Sequence, residues 1–182
     1  MKVTTFLTEG FETVEALAVV DILRRAGITV DLVSVSGEKA VKSAQGVVVN
    51  AEYTFDGHDI DDTDVIFLPG GPGHKLYEKN DKLIAQIKDF NNKNKYIAAI
   101  CAAPSILGRM GILEGKNATC FPGFEGELKG AKLADVKQRV VTDGNIITSR
   151  GMGTSVDLGL ELVKILAGEE KAEELAVSTQ YR

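Results

Sequence analysis

The sequence predicts an α/β fold built on a mostly parallel sheet with helices over both faces. Stretches of strand and helix character alternate along the chain, the pattern of βαβ units. The run Val65-Ile66-Phe67-Leu68 is apolar at every position, as a parallel strand buried on both faces requires. With 182 residues, 44% of them hydrophobic and 26% charged, the chain has the size and balance of one globular domain, residues 1–182.

Lys2–Leu7 reads as the first strand. Residues 12–26 follow as a helix, with Val14, Leu17, Ala18 and Ile22 at helical spacing and Gly27 as the stop. Ile28–Val35 is the next strand. Residues 39–49 form a hairpin around Ser43-Ala44-Gln45-Gly46. The polar stretch 56–64 is a loop or short helix, and the 65–68 strand ends at Pro69-Gly70-Gly71-Pro72-Gly73. A helix over 81–91 carries Leu83, Ile84, Ile87 and Phe90 inward, and Tyr96–Ile100 is an apolar strand. Strands are expected over 117–120, 136–141 and 145–149, the last two joined through Asp143-Gly144. The final long helix starts at Thr154 or Ser155, whose hydroxyls suit a cap, and ends at Gly168. A short helix, 169–175, closes the pattern.

A net charge of −5 with no block of Lys or Arg argues against binding to nucleic acid or an anionic membrane surface. The apolar runs are too short to span a bilayer, and the first residues lack the features of a signal peptide. A cytoplasmic protein is therefore expected. The two cysteines, Cys101 and Cys120, form no CxxC pair, and the two histidines, His58 and His74, stand apart; neither a disulfide nor a metal site is expected.

In open parallel sheets ligands bind at the carboxyl ends of the strands. That rule gathers Thr8-Glu9-Gly10, Pro69-Gly70-Gly71 and Cys101 on one edge. Cys101 stands between the 96–100 strand and a helical stretch with Pro104 in its first turn, the place of a nucleophile on a sharp turn. A helix N-terminus aimed at the sulfur favours the thiolate. Free cysteines are more often buried small hydrophobes, and the turn position is what lifts Cys101 above that reading. Cys120, on an expected strand with no helix N-terminus beside it, reads as a structural thiol.

Gly70 and Gly71 let backbone N–H groups approach a substrate, and with the N–H of Ala102 they could form an oxyanion hole; a tight turn is the plainer role. Of Glu9, Glu12 and Glu15 at the first helix start, Glu15 lies among apolar neighbours, where burial raises a carboxyl pKa and suits it to acid–base work. The plainer role of such glutamates is to complement the helix dipole. His74 follows the glycine-rich loop and is a candidate pocket residue.

The segments Glu9-Gly10-Phe11-Glu12-Thr13-Val14-Glu15, Leu68-Pro69-Gly70-Gly71, Ala98-Ala99-Ile100-Cys101-Ala102-Ala103-Pro104 and Thr148-Ser149-Arg150-Gly151-Met152-Gly153-Thr154 together resemble the ThiJ/PfpI superfamily, in the branch of the Parkinson-disease-associated protein. They occur in order over essentially the whole chain. The resemblance implies a flavodoxin-like three-layer α/β/α sandwich and a homodimer. It implies that Cys101 is the reactive cysteine, Glu15 the protonated glutamate bonded to it, and Gly71 and Ala102 the oxyanion amides. It also implies conversion of glyoxal or methylglyoxal to hydroxy acids without a cofactor, or deglycation of early adducts. An oxidative-stress thiol sensor or chaperone-like role is the alternative. The peptidase branch carries His after the cysteine; Ala102 here argues against a cysteine peptidase or amidase. Where some relatives carry a His before Pro, this chain has Phe121 before Pro122, which could wall the pocket.

Overall fold

The structure, a computed structural model, describes residues 1–181. Its strands are β1 (Lys2–Leu7), β2 (Thr29–Ser34), β3 (Ala40–Lys42), β4 (Val48–Asn50), β5 (Tyr53–Thr54), β6 (Val65–Leu68), β7 (Tyr96–Ile100), β8 (Asn117–Ala118), β9 (Lys132–Leu133), β10 (Val140–Asp143) and β11 (Ile146–Ser149). The α-helices are α1 (Thr13–Arg25), α2 (Asp81–Asn92), α3 (Pro104–Arg109), α4 (Ser155–Ala167) and α5 (Glu169–Ser178). Seven strands form the central sheet in the order β10-β11-β7-β6-β1-β2-β5. Every pairing in it is parallel except β10 with β11. This is the flavodoxin-like α/β arrangement.

The alternation of side chains along each strand divides the core into two layers. Val3, Leu7, Val65, Phe67, Ala98, Ile100 and Ile147 face one layer with α1, α4 and α5. Phe6, Ile66, Leu68, Ile97, Ala99 and Ile146 face the other with α2 and α3. Strands β6 and β7 are buried almost throughout, which explains their unbroken apolar sequence. No helix among the described residues is long and apolar enough to cross a membrane.

Chain order reverses between β1 and β6, so their carboxyl ends diverge and leave a crevice. Tyr77 braces that crevice from beneath. It is fully buried, and its hydroxyl lies 2.9 Å from the Phe6 carbonyl and 3.2 Å from the Pro69 carbonyl. One phenol thus ties the end of β1 to the loop after β6.

Several sequence expectations need correction. Residues 72–79, where no helix is expected, form a 3₁₀ helix entered at Pro72, whose fixed φ suits a first turn. The expected strand over 117–120 is only Asn117–Ala118, paired with β9 outside the main sheet. The strand expected over 136–141 starts at Val140. The β10–β11 turn is formed by Gly144 and Asn145, since Asp143 still pairs with Ile146. The expected hydroxyl cap of α4 does not form. The Thr154 hydroxyl turns back onto Ser149 Oγ at 2.6 Å and the Gly151 carbonyl at 2.8 Å, stiffening the loop beside the crevice.

Candidate active site

Cys101 follows β7 in a left-handed conformation, φ +64°. For a residue with a Cβ this strain costs about 1–3 kcal/mol and persists only where the surroundings impose it. Here they do. The Cys101 N–H donates to the Ser149 carbonyl at 3.0 Å, and its carbonyl accepts from the Phe121 N–H at 2.8 Å. With its backbone pinned between β11 and the 119–122 segment, the side chain turns into the crevice.

Glu15 comes from the first turn of α1. The start of that helix is moored at two points. The Glu12 N–H donates to the Gly70 carbonyl at 3.0 Å, and Thr13 Oγ1 reaches Ser43 and Gln45 of the β3–β4 hairpin at 2.8 Å each. Glu15 is 1% exposed, and its Oε2 accepts the Gly70 N–H at 2.9 Å. The Met152 N–H also bonds the carboxyl, and the carboxyl shares a hydrogen bond with Cys101. The Glu12 carboxyl accepts from Gln45 at 2.7 Å, and that of Glu9 from the Lys42 N–H at 3.1 Å. Among the three candidate carboxylates, Glu15 alone meets the cysteine.

Burial pushes the Glu15 carboxyl up to about 7, against the opposing pull of Cys101, Gly70 and Met152. The thiol departs from the sequence expectation. Burial first, then the charge and hydrogen bond of Glu15, push Cys101 up to about 12, while the backbone N–H groups of Gly71 and Ala102 draw it down. The helix that follows has only six residues, too short a dipole to offset a buried carboxylate. Cys101 and Glu15 therefore titrate as a unit with apparent values of about 7 and about 12. Between them the pair holds one proton. The carboxylate can take it as sulfur forms a bond, and the two amides stand ready for negative charge.

The two glycines are required by space. A Cβ on Gly70 would lie 2.5 Å from Glu15 Oε2 and 2.6 Å from Cys101 Cβ. Gly71 adopts φ +92°, and a Cβ there would lie 2.5 Å from the Glu12 nitrogen. The expected oxyanion residues Gly70, Gly71 and Ala102 thus meet Cys101, Gly71 and Ala102 through their amides and Gly70 through its contact with the pair.

A pocket of about 370 Å³ opens over the sulfur. Pro72, Phe121, Phe124 and Met152 wall it, and Glu12, Glu15 and His74 add polar atoms. Phe121 stands 46% exposed at the edge. His74 is buried, its Nδ1 2.9 Å from the Gly71 carbonyl and its ring edge-on to Phe124. Sequence reasoning missed Phe124. The signal was its spacing of three from Phe121, hidden in a segment without periodicity. Cys120 is buried in the α2–α3 layer with its thiol pushed up by burial.

The sequence profile of the DJ-1/PfpI family matches residues 1–165. The chain belongs to the DJ-1/PfpI family. It is 38% identical over 179 residues to Protein DJ-1 homolog B of Arabidopsis thaliana, covering 96% of this chain and 40% of that one. It thus spans well under half the length of that plant relative. It is 31% identical over 166 residues to a protein of Thermococcus kodakarensis named Deglycase TK1284, covering 91% and 99% of the two chains. A solved structure described as Toxoplasma gondii DJ-1, oxidized, superposes with a TM-score of 0.93 at 31% identity, covering 98% and 97%. The DJ-1/PfpI match spans all of the site, from Glu15 through Cys101 to Met152.

Proposed function

We propose that this DJ-1/PfpI protein is a cysteine-dependent enzyme of the glyoxalase or deglycase type, acting on reactive aldehydes such as glyoxal, methylglyoxal and early glycation adducts. The observation that carries the reading is the buried hydrogen-bonded pair of Cys101 and Glu15, whose carboxyl titrates at about 7. A general base works best near the pH at which it operates. The name of the Thermococcus relative supports the same chemistry.

The steps balance without an added oxidant or reductant. Glu15 takes the thiol proton while sulfur bonds to the aldehyde carbon, and the carbonyl electron pair moves to oxygen against the amides of Gly71 and Ala102. Glu15 returns the proton, giving a hemithioacetal. It then removes the hydrogen on that carbon, and the neighbouring carbonyl oxygen is protonated to an enediol. Protonation of the second carbon, with loss of the proton from the first carbon's hydroxyl, leaves a thioester of a hydroxy acid. Water cleaves the thioester, releasing the hydroxy acid and restoring the thiol. The net change adds one water to the α-oxoaldehyde. Hydroxy-acid formation from methylglyoxal in the absence of glutathione tests the proposal. Turnover that disappears in Cys101→Ser supports it; none by the native protein refutes it.

A second reading is a thiol sensor of oxidative stress. It rests on the partial exposure of Cys101 at the pocket floor and on the oxidised state of the Toxoplasma structure. Mass spectrometry after peroxide treatment, showing oxygen gained at Cys101 in a protein without aldehyde turnover, would favour it. The proposal also carries a homodimer in the cytoplasm and residues 1–182 as one domain.

A further inference from the structure

The pocket over Cys101 is too large for the smallest aldehydes. Its volume of about 370 Å³ is in the range that holds drug-sized ligands, whereas glyoxal has two carbons. Its walls are largely apolar, with the rings of Phe121 and Phe124, the Met152 side chain and Pro72. A ligand that filled only the neighbourhood of the sulfur would leave those walls wet.

His74 is the exception in that lining. The residue is 3% exposed. The Gly71 carbonyl can only accept, so Nδ1 at 2.9 Å carries the hydrogen and donates. Burial pulls the ring pKa below the ordinary histidine value, which favours the neutral imidazole. Nε2 is then a bare lone pair. No group among the described residues is bonded to it, and His74 lines the pocket. An apolar ligand covering that nitrogen would strip its water and give nothing back, a cost a donor on the ligand removes.

We propose that this pocket selects ligands that join a ring-sized apolar body to one hydrogen-bond donor, with His74 Nε2 as the acceptor that reads the donor. The inference rests on the proposed use of this pocket as the substrate site, and it narrows the substrate class. The preferred substrates are α-oxoaldehydes whose apolar substituent bears a hydroxyl or N–H, ahead of methylglyoxal. Glu12 also lines the pocket, but it is bonded to Gln45 at 2.7 Å and is not deeply buried, so covering it selects less sharply.

Unreactive ketones test the selection apart from catalysis. Acetophenone and its 3- and 4-hydroxy analogues, titrated into the native protein, are expected to differ, with at least one hydroxy analogue binding about tenfold more tightly. That preference is expected to vanish in His74→Leu and to persist in Glu12→Gln. A readout in the native protein guards against a misfolded variant. The chain has two histidines, so the ¹⁵N signal of His74 Nε2 can be resolved from that of His58. It should shift with the tighter hydroxy ketone and not with acetophenone. Equal binding of all three ketones, a preference lost in Glu12→Gln instead, or an unmoved Nε2 signal would overturn the inference. Ketone selectivity without aldehyde turnover would refute the enzymatic reading and leave only the ligand selection by His74 standing. Methylglyoxal turnover without ketone selectivity would do the reverse.

Discussion

Glu15 Oε2 accepts the Gly70 N–H at 2.9 Å, and a methyl group on Gly70 would lie 2.5 Å from that same oxygen. The contact that orients the carboxyl therefore also forbids any side chain at the residue that makes it. Gly70 is a spacer for the proton-sharing pair, and its substitution should act on chemistry before stability.

Gly70→Ala would force the Glu15 carboxyl and Cys101 apart, since the new Cβ also lies 2.6 Å from Cys101 Cβ. A misplacement of about 1 Å at reacting groups costs about 10²-fold. The variant is expected to lose at least that much kcat/KM for methylglyoxal while still folding by circular dichroism. Full activity in Gly70→Ala would show that the pair is not the catalytic unit.

The raised Glu15 pKa has a cost in stability. The carboxyl binds its proton more tightly when folded, at about 7, than when unfolded, near its ordinary value of 4.5. Its stabilising contribution is complete below the unfolded value and is lost as pH rises to and through about 7. Denaturant unfolding of the native protein and Glu15→Gln should therefore diverge between those pH values. The variant is expected to become the more stable by up to about 3 kcal/mol above pH 7. Parallel pH profiles would contradict the burial argument.

Tyr77→Phe removes the phenol that joins the Phe6 and Pro69 carbonyls. The apolar body of the ring stays, so the loss is the hydrogen bond and the desolvated carbonyls left behind, about 1–2 kcal/mol. Because the Pro69 loop carries Gly70 and Gly71, kcat for aldehydes should fall with it. Chemical denaturation and steady-state rates check the two effects separately.

The cysteines should differ in reactivity. Cys120 is 3% exposed and packed in the core, its thiol pushed up by burial. Cys101 opens to the pocket and shares a proton with Glu15. Peptide mapping after limited iodoacetamide treatment is expected to find label at Cys101 at least about tenfold faster than at Cys120.

Much of this was legible in the residues. The unbroken apolar runs 65–68 and 96–100 marked the central strands correctly because burial on both faces leaves no room for polar alternation. Glu15 stood out as a carboxyl among apolar neighbours, and the structure buries it. Burial at Cys101 was not legible. A helix N-terminus is visible in sequence as Pro104, and Phe121 as a pocket wall, but the short length of α3 is not, and the walls from residues 124 and 152 come from distant segments. The fold brings those walls over the sulfur, and their desolvation outweighs the dipole. The 72–79 helix was hidden for a local reason, since Pro and Gly mark turns and 3₁₀ helices alike.

The rate of Cys101 alkylation as a function of pH, in the native protein and in Glu15→Gln, tests the central claim most directly. The account predicts that the native rate rises through about pH 7, as the first proton leaves the pair, and that this inflection is missing in the variant. A single inflection near the ordinary thiol value of ~8.5 in both proteins would contradict it.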